Sequence, residues 1–161
     1  MGKYAKAMDL KTYENTMQED LEKFFKVCWE DLGWEYDPQH WRSYISDIEQ
    51  KYMSNGCFWC LYDDKELIGT VAVWTIDEAN KVAEMKRLYV LKNYQGQGYG
   101  ELLFTTALNY AKSNGYRKVR ADTDKDRRAS QYLMRKHKFQ EIGRYNDNPH
   151  AELFFELVLL K

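Results

Sequence analysis

Three glycines lie within five positions, at Gly96, Gly98 and Gly100, between a stretch with strand character and one with helix periodicity. The first N–H groups of a helix have no partner inside the helix and carry partial positive charge. Glycine lets a ligand approach the backbone without meeting a Cβ atom. A strand, a glycine-rich turn and a helix start in succession therefore predict an anion site, and we interpret this one as a cradle for a diphosphate.

The spacing of the glycines narrows the kind of phosphate site. A Walker A loop needs Lys and then Ser or Thr after its last glycine, and a dinucleotide fingerprint needs G-x-G-x-x-G. The turn has instead the pattern Gln95-x-x-Gly98-x-Gly100, directly after the strand. This pattern resembles the [RQ]-x-x-G-x-[GA] signature of the GNAT family of N-acetyltransferases. The similarity runs from about Cys57 to the C-terminus and includes the strand AEMKRLYV and the late helix ASQYLMRKHKF.

The resemblance implies a fold, a co-substrate and a set of binding residues. The fold is mixed α+β in one domain over residues 1–161, with a splayed mixed sheet of about six or seven strands and about four helices around it. The co-substrate is acetyl-CoA (coenzyme A after transfer), and no metal is implied. Family members hold the pyrophosphate with the amides of the turn, and the preceding strand offers backbone groups to the pantetheine and the oxyanion. Those positions here are Leu88, Tyr89, Val90, Gln95, Gly96, Gln97, Gly98, Tyr99, Gly100 and Glu101.

Acetyl transfer to an amine needs a group that takes a proton from the nitrogen, because amines are mostly protonated near neutral pH. Glu84 is the candidate general base, since it lies eleven residues before the glycine motif, the spacing that the histone-type members of the family use. Strict alternation places Glu84 on the face shared by Lys86, Leu88 and Val90, whereas a β-bulge would change that parity. The alternative is a structural glutamate at a strand edge, paired with Lys86 or Arg87.

The sequence assigns no general acid for the leaving thiolate. Lys138 stands where the family has a glycine before the final Phe139 of the late helix, and Met134 stands where many members have a tyrosine that acts as the acid. Tyr132 would lie about 200° around the helix from that position. The segment is similar to the A-S-x-x-x-L-x-K-x-G-F form of ribosomal-protein acetyltransferases, many of which lack the tyrosine. In the later turn, Tyr145 either lines the acceptor pocket or packs the turn.

Hydrophobic periodicity and turn residues predict the order β-α-α-β-β-β-α-β-α-β-β, which is also the order of the GNAT fold. The predicted elements, in that order, span residues 4–10, 12–32, 37–53, 57–62, 67–76, 82–91, 101–115, 116–121, 126–137, 139–144 and 152–160. The first helix is expected to start at a Thr12 or Asn15 cap and to bury a stripe that ends at Leu32.

Cysteine content and charge limit the class of protein. Three cysteines are too few for a disulfide framework, and Cys57 and Cys60 should point to opposite faces of one strand, which argues against a redox or zinc motif. Without a long apolar run or a signal-peptide core, the chain is expected to be cytoplasmic. Residues 1–80 hold eight Lys or Arg against sixteen Asp or Glu, whereas residues 81–140 hold fourteen against five. A basic half around the turn suits a polyanionic ligand.

The acceptor is predicted only by class. Acidic and aromatic residues alternate in the early segment: Trp29, Glu30, Asp31, Trp34, Glu35, Tyr36, Asp37 and Trp41. Together they favour a cationic group, so we expect a small cationic amine; the alternative is a solvated helix end with the aromatic rings in the core. Nucleic acid and membrane are not expected partners, and homodimer formation stays open. The rival function is an acyl-CoA-binding regulatory domain without turnover.

Overall fold

A single seven-stranded sheet forms the framework of the computed structural model, which describes residues 8–34 and 45–159. The strands are β1 (Asp9–Thr12), β2 (Gly56–Asp63), β3 (Glu66–Asp77), β4 (Val82–Val90), β5 (Lys118–Thr123), β6 (Gln140–Ile142) and β7 (Leu153–Val158). The described helices are α1 (Gln18–Asp31), α2 (Tyr99–Ser113) and α3 (Arg128–Lys136), with short helical turns at Asn15–Met17, Glu49–Met53 and Lys92–Tyr94.

The sheet consists of two antiparallel groups joined by one parallel pair. Its strand order is β1-β2-β3-β4-β5-β7-β6, and only β4 and β5 run parallel. Helix α2 makes the crossover that such a pair needs. Pairing between β4 and β5 ends at Glu84 and Arg120, although β4 continues to Val90 beside β3. The sheet therefore splays open beyond Glu84.

Both faces of the sheet are covered. On one face α2 and α3 pack Leu103, Phe104 and Leu133 against a core that includes inward residues of β2 to β5. On the other face α1 and the 45–53 segment bury Phe25 and Trp29 with further aromatic and aliphatic residues. This two-sided burial explains why β2 and β3 are nearly continuous apolar runs instead of alternating ones.

A β-bulge divides β4 at Arg87. Lys86 pairs with Ala72 but Tyr89 pairs with Thr70, so β4 has one residue more than β3 in this interval. Arg87 takes a positive φ of 58°, and the buried Thr70 hydroxyl donates to its carbonyl at 2.7 Å. The extra residue shifts the alternation of side chains, as bulges beside active sites do.

The bulge decides which side chains of β4 share a face with Glu84. Ala83 and Met85 face α2 and α3, so Glu84 and Lys86 face the opposite side. Leu88 and Val90 pack against the α2–α3 core, although strict alternation would have put them beside Glu84. The expectation that these two share the face of Glu84 is wrong, and the bulged alternative is confirmed.

The predicted element order is confirmed for the described residues, with differences at the ends. The first strand was predicted over residues 4–10; it begins at Asp9 in the described part, and residues 4–7 lie outside that part. Thr12 pairs with Trp59 of β2 in extended backbone, so it cannot cap a helix, and α1 follows a 3₁₀ turn with Met17 as its N-cap. Leu32 is exposed rather than inward.

Other predictions concern the second helix, the cysteines and the membrane. Of the predicted 37–53 helix, residues 37–44 lie outside the described part, and the rest ends in a π-helical turn at Glu49–Met53. Cys57 and Cys60 belong to the cores on opposite faces of the sheet, as predicted. Among residues 8–34 and 45–159, the helices are too short or too polar to cross a bilayer.

Candidate active site

The glycine turn joins the end of β4 to α2 and leaves its backbone accessible. Gly96 and Gly98 have positive φ of 75° and 93°, and Gly98 is the N-cap of α2. A Cβ atom at either position would meet no described atom within 4 Å, so open space lies above the turn. The amide of Leu102 makes a helical bond to the Gly98 carbonyl at 3.1 Å, and the amides before it are those that a helix start leaves for a ligand.

The two glutamines of the motif shape the turn through their side chains. Gln95 Nε2 donates to the Val90 carbonyl at 2.9 Å, which ties the turn to the end of β4. Gln97 Nε2 donates to the Asn93 carbonyl at 3.1 Å. Both side chains therefore bind neighbouring carbonyls and hold the backbone of the turn in place.

The Glu101 side chain forms an ion pair between α2 and α3. Lys136 Nζ, in the last turn of α3, lies 2.8 Å from both carboxylate oxygens of Glu101, in the first turn of α2. The hydrogen bond from Lys136 lowers the pKa of Glu101. Its side chain thus serves the contact between α2 and α3, while its backbone amide still belongs to the first turn of α2.

Arg127 crosses the gap between the splayed strands. Its Nη2 donates to the Leu88 carbonyl at 2.9 Å, and its guanidinium lies 4.5 Å from the centre of the Tyr89 ring. A hollow of about 90 Å³ remains here, and Ser130 and Met134 of α3 contribute to its wall. Arg127 therefore occupies the strand-end position at which the family resemblance places backbone contacts to pantetheine.

Glu84 is a buried carboxylate that accepts several hydrogen bonds. It is only 2% exposed. Trp74 Nε1 donates to its Oε1 at 2.8 Å, while the Tyr145 hydroxyl and Asn146 Nδ2 donate to its Oε2 at 2.5 and 3.1 Å. The Lys86 ammonium is 3.5 Å from Oε1. Three donors and one cation therefore surround the two oxygens of this carboxylate.

Asp122 on β5 is tied to the same cluster. Asn146 Nδ2 donates to Asp122 Oδ2 at 2.6 Å, and Lys86 Nζ lies 3.8 Å from that oxygen. Lys86 and Asn146 therefore each contact both Glu84 and Asp122. The cluster joins β4, β5 and the loop between β6 and β7 at the point where β4 and β5 separate.

The loop that carries Tyr145 and Asn146 is braced from within. Arg144 donates to the carbonyls of Asn146, Asn148 and Ala151 at 3.3, 3.1 and 2.8 Å. Its guanidinium lies 4.7 Å from the centre of the Phe154 ring. One side chain thus fixes three carbonyls of an irregular segment, and this holds the donors to Glu84 in position.

Tyr145 packs against β7 and also lines a cavity. Its ring packs edge-on against Phe154 at 5.5 Å between centres, and Arg120 lies 5.3 Å from the ring centre. The same residue lines the cavity beside Glu84. Burial, followed by the nearby Glu84 and Asp122 carboxylates, raises the pKa of Tyr145. The hydroxyl therefore stays protonated near neutral pH.

A cavity of about 520 Å³ opens beside Glu84. Aromatic rings form much of its wall: Trp34, Trp74, Tyr89 and Tyr145. Its carboxylates (Asp77, Glu84 and Asp147) face as many cations (Lys86, Arg87 and Arg120). The cavity shares Lys86, Tyr89 and Asn148 with the smaller hollow between β4 and β5, so the two spaces adjoin.

The cysteines and the late helix contribute little reactivity. Burial raises the pKa of the Cys28 and Cys60 thiols to about 12, so neither supplies a thiolate near neutral pH. Met134 is buried against the hollow and carries no ionisable proton, while Tyr132 is 63% exposed on the other side of α3. The geometry therefore agrees with the sequence in giving no acid at the usual position of α3.

The sequence predicted Glu84 and the turn but missed the partners of Glu84. Trp74, Asp122 and Asn146 come from three separate elements, and none belongs to a recognisable motif. The pairing of Trp74 with Glu84 in the β3–β4 hairpin is the one signal that could have been used, because the 78–81 turn limits the register. Asn146 was assigned only to a turn.

Comparison with known proteins places the chain in a family. The model of the Acetyltransferase (GNAT) family matches residues 15–139. The N-acetyltransferase 8B of Homo sapiens is 29% identical over 107 residues, which cover 63% of this chain and 47% of that protein. The N-acetylaspartate synthetase of Xenopus tropicalis is 33% identical over 104 residues, covering 63% and 38%. The chain thus spans less than half the length of these two relatives.

Solved structures show the same fold. An acetyltransferase of the GNAT family from Staphylococcus aureus Mu50 superimposes with a TM-score of 0.84 at 20% identity, covering 95% of this chain and 99% of that one. The PaiA N-acetyltransferase of Thermoplasma acidophilum, solved in complex with coenzyme A, gives a TM-score of 0.71 at 18% identity, covering 94% and 99%. The family match and the splayed sheet agree with the glycine turn, and the chain belongs to the GNAT acetyltransferase family.

Proposed function

We propose that this chain transfers an acetyl group from acetyl-CoA directly to a primary amine of a small molecule or peptide. The observation that carries the proposal is the juxtaposition of two sites on β4. The open amide turn follows the C-terminal end of the strand, and the buried Glu84 lies on the same strand, at the last β4–β5 pair and beside a cavity. An acyl donor held along the strand end would present its thioester between the two.

The backbone of the turn fits a diphosphate. Gly96 and Gly98 leave room within 4 Å of the positions that side chains would fill, and the amides at the start of α2 point to that room. Family resemblance adds Leu88, Tyr89 and Val90 as backbone partners of pantetheine. The PaiA protein, crystallised with coenzyme A, shares this fold.

Glu84 is the group that accepts the proton of the amine in this proposal. It is buried beside the cavity, at the point where the two strands part, and four neighbouring groups stabilise its charge. Its contact with Lys86 is also what a purely structural glutamate would make, so only measurements of activity distinguish the two roles. The departing thiolate of coenzyme A is a weak enough base to leave without a dedicated general acid, and it takes up its proton afterwards.

The acceptor remains a primary amine of unspecified side chain. The aromatic walls of the 520 Å³ cavity suit an ammonium group, which is the form in which an amine arrives. Of the carboxylates behind the cationic hypothesis, Glu30 and Asp31 are exposed at the end of α1, Asp31 lines a different hollow, and Glu35 and Asp37 lie outside the described residues. The cationic acceptor therefore depends mainly on the aromatic walls.

Release of free thiol from acetyl-CoA, measured over a panel of amines, tests the function. The panel should contain polyamines, aminoglycosides, neutral and acidic amino acids, and peptides, because the relatives are named as N-acetyltransferases and one is named for N-acetylaspartate. Amine-dependent thiol release with an added acetyl group in the product supports the proposal. Binding of acetyl-CoA without turnover for any amine would favour the rival, a regulatory acyl-CoA-binding domain.

A salt series on the same panel tests the acceptor class. A cationic acceptor should have a higher kcat/KM than acidic amino acids, and the advantage should shrink at high ionic strength because salt screens the attraction. Equal rates for both classes at every salt concentration would contradict the cationic hypothesis while leaving the acetyltransferase proposal intact.

A further inference from the structure

Most hydrogen-bonding positions of the buried Glu84 carboxylate are already taken. A carboxylate has about four lone-pair sites. In Glu84 the Tyr145 hydroxyl and Asn146 amide occupy Oε2, the Trp74 indole occupies Oε1, and the Lys86 ammonium lies 3.5 Å from Oε1. Glu84 borders the cavity with only 2% of its surface exposed, so an acceptor there contacts mainly the groups around Glu84.

Only one of those groups can both take and give a proton. The Trp74 indole and the Asn146 amide nitrogen donate hydrogen bonds but do not accept them, and a charged ammonium such as that of Lys86 has no lone pair. A hydroxyl donates one hydrogen bond and accepts others. Tyr145 lines the cavity and donates to Glu84 Oε2 at 2.5 Å, so its oxygen can face an acceptor while its proton faces the base.

We propose that the Tyr145 hydroxyl is a catalytic proton relay between the acceptor amine in the cavity and the buried Glu84 carboxylate. This inference rests on the proposed acetyltransferase function. It assigns the first proton transfer from the amine to the loop between β6 and β7, and it gives a reason why Arg144 braces that loop through three carbonyls.

The proton steps balance as follows. The acceptor ammonium gives one proton to the Tyr145 oxygen as Tyr145 gives its own to Glu84 Oε2, which leaves Tyr145 neutral and Glu84 a neutral carboxylic acid. The freed nitrogen forms its bond to the acetyl carbon, and the carbon–sulfur bond breaks with its electron pair going to sulfur. The second proton of the nitrogen ends on the thiolate. Glu84 returns its proton to solvent through Tyr145 before the next turnover.

The Tyr145→Phe variant removes the hydroxyl but keeps the ring against Phe154 and Arg120. We expect kcat to fall by roughly a hundredfold near neutral pH, with the KM for acetyl-CoA unchanged. The deficit should shrink as the pH approaches the pKa of the acceptor amine, because a deprotonated amine no longer needs the relay. A packing defect would lower the rate equally at every pH.

The matched control is Tyr132→Phe, since Tyr132 is 63% exposed on α3, and it should keep wild-type turnover. The double variant Tyr145→Phe with Glu84→Gln should be about as slow as the slower single variant, because both changes interrupt one path. In the wild type, kcat plotted against the D₂O fraction should curve, since two protons move together when chemistry limits turnover.

Three results would overturn the relay. A Tyr145→Phe enzyme with wild-type kcat would show that water or Glu84 itself meets the amine. Losses that multiply in the double variant would show that the two residues have separate roles. A linear dependence of kcat on the D₂O fraction would show that a single proton moves in the rate-limiting step. A wild-type chain that binds acetyl-CoA but acetylates no amine would overturn the proposed function and the relay with it.

Discussion

The glycine turn follows β4 and the Glu84 cluster is centred on β4, but the two are built in opposite ways. The turn consists of backbone amides from consecutive residues, and its glycines leave the space above it open. The cluster consists of side chains from β3, β4, β5 and the loop between β6 and β7, and its central carboxylate, Glu84, is buried. A site made of local backbone tolerates changes around it, whereas a buried polar network depends on every member.

The largest effect is expected from Glu84→Gln, which tests whether the cluster is catalytic. We expect turnover to fall by roughly a hundredfold or more near neutral pH and to recover partly at high pH, because solvent then deprotonates the amine. The amide also puts a donor against one of the donors around Glu84, so unfolding should be easier by about 1–3 kcal/mol.

Steady-state kinetics over a pH series, at a temperature where the variant is folded, make this measurement. An unaltered pH–rate profile would restrict Glu84 to holding Lys86 and the neighbouring donors. In that case the Glu84 cluster would be a structural element, and another group would accept the proton of the amine.

The next effect concerns the turn. Gly98→Glu adds a side chain and a negative charge where φ is 93°, so we expect the affinity for acetyl-CoA to fall at least about tenfold in calorimetry, through charge repulsion and backbone strain. Gly98→Ala carries the strain without the charge and separates the two causes.

Gly100→Ala is the matched control for this turn. Gly100 lacks a positive φ, and its added Cβ would lie 3.8 Å from Leu133 Cδ1, an ordinary contact, so affinity should hardly change. Unchanged affinity in a folded Gly98→Glu variant would show that the turn is not the diphosphate site.

The smallest effect is a gain in stability at Lys138. This residue follows α3 with a positive φ of 70°, where the family pattern has glycine. Left-handed backbone costs a non-glycine residue about 1–2 kcal/mol, of which part is offset by the greater freedom of glycine in the unfolded chain. We therefore expect Lys138→Gly to raise the free energy of unfolding by about 0.5–1 kcal/mol.

Chemical denaturation measures that gain, and Lys138→Ala, which keeps the strain, should show none of it. A destabilised Lys138→Gly variant would mean that the lysine side chain contributes more than its backbone costs. The result also sharpens the contrast with Gly98, where the positive φ favours glycine and the proposed diphosphate site gives a second reason for the absence of a side chain.

The difference between the two regions explains what the sequence could predict. The turn lies within six consecutive residues, Gln95 to Gly100, so a local pattern contains all of it. Glu84 was predicted by its distance from that pattern. Its donors Tyr145 and Asn146 lie 61 and 62 positions away, and only the folded sheet brings them together. Spacing cannot reveal such a contact.

The wrong prediction for the face of Leu88 has the same physical origin. That face depended on a bulge at Arg87, whose carbonyl accepts a hydrogen bond from Thr70 of another strand. A tertiary contact therefore decided an outcome that local alternation predicted differently.

The bulge in β4 has a consequence for how the strand tolerates substitution. Before Arg87 the odd-numbered side chains, Ala83 and Met85, pack under α2 and α3, and after it the even-numbered ones, Leu88 and Val90, do so. A scan of charged substitutions along β4 should therefore show two sensitivity patterns that are out of phase by one residue. Deleting Arg87 would bring them into phase and turn either Glu84 or the strand end beyond Arg87 to the opposite face, so the length of this strand is under as much constraint as its composition.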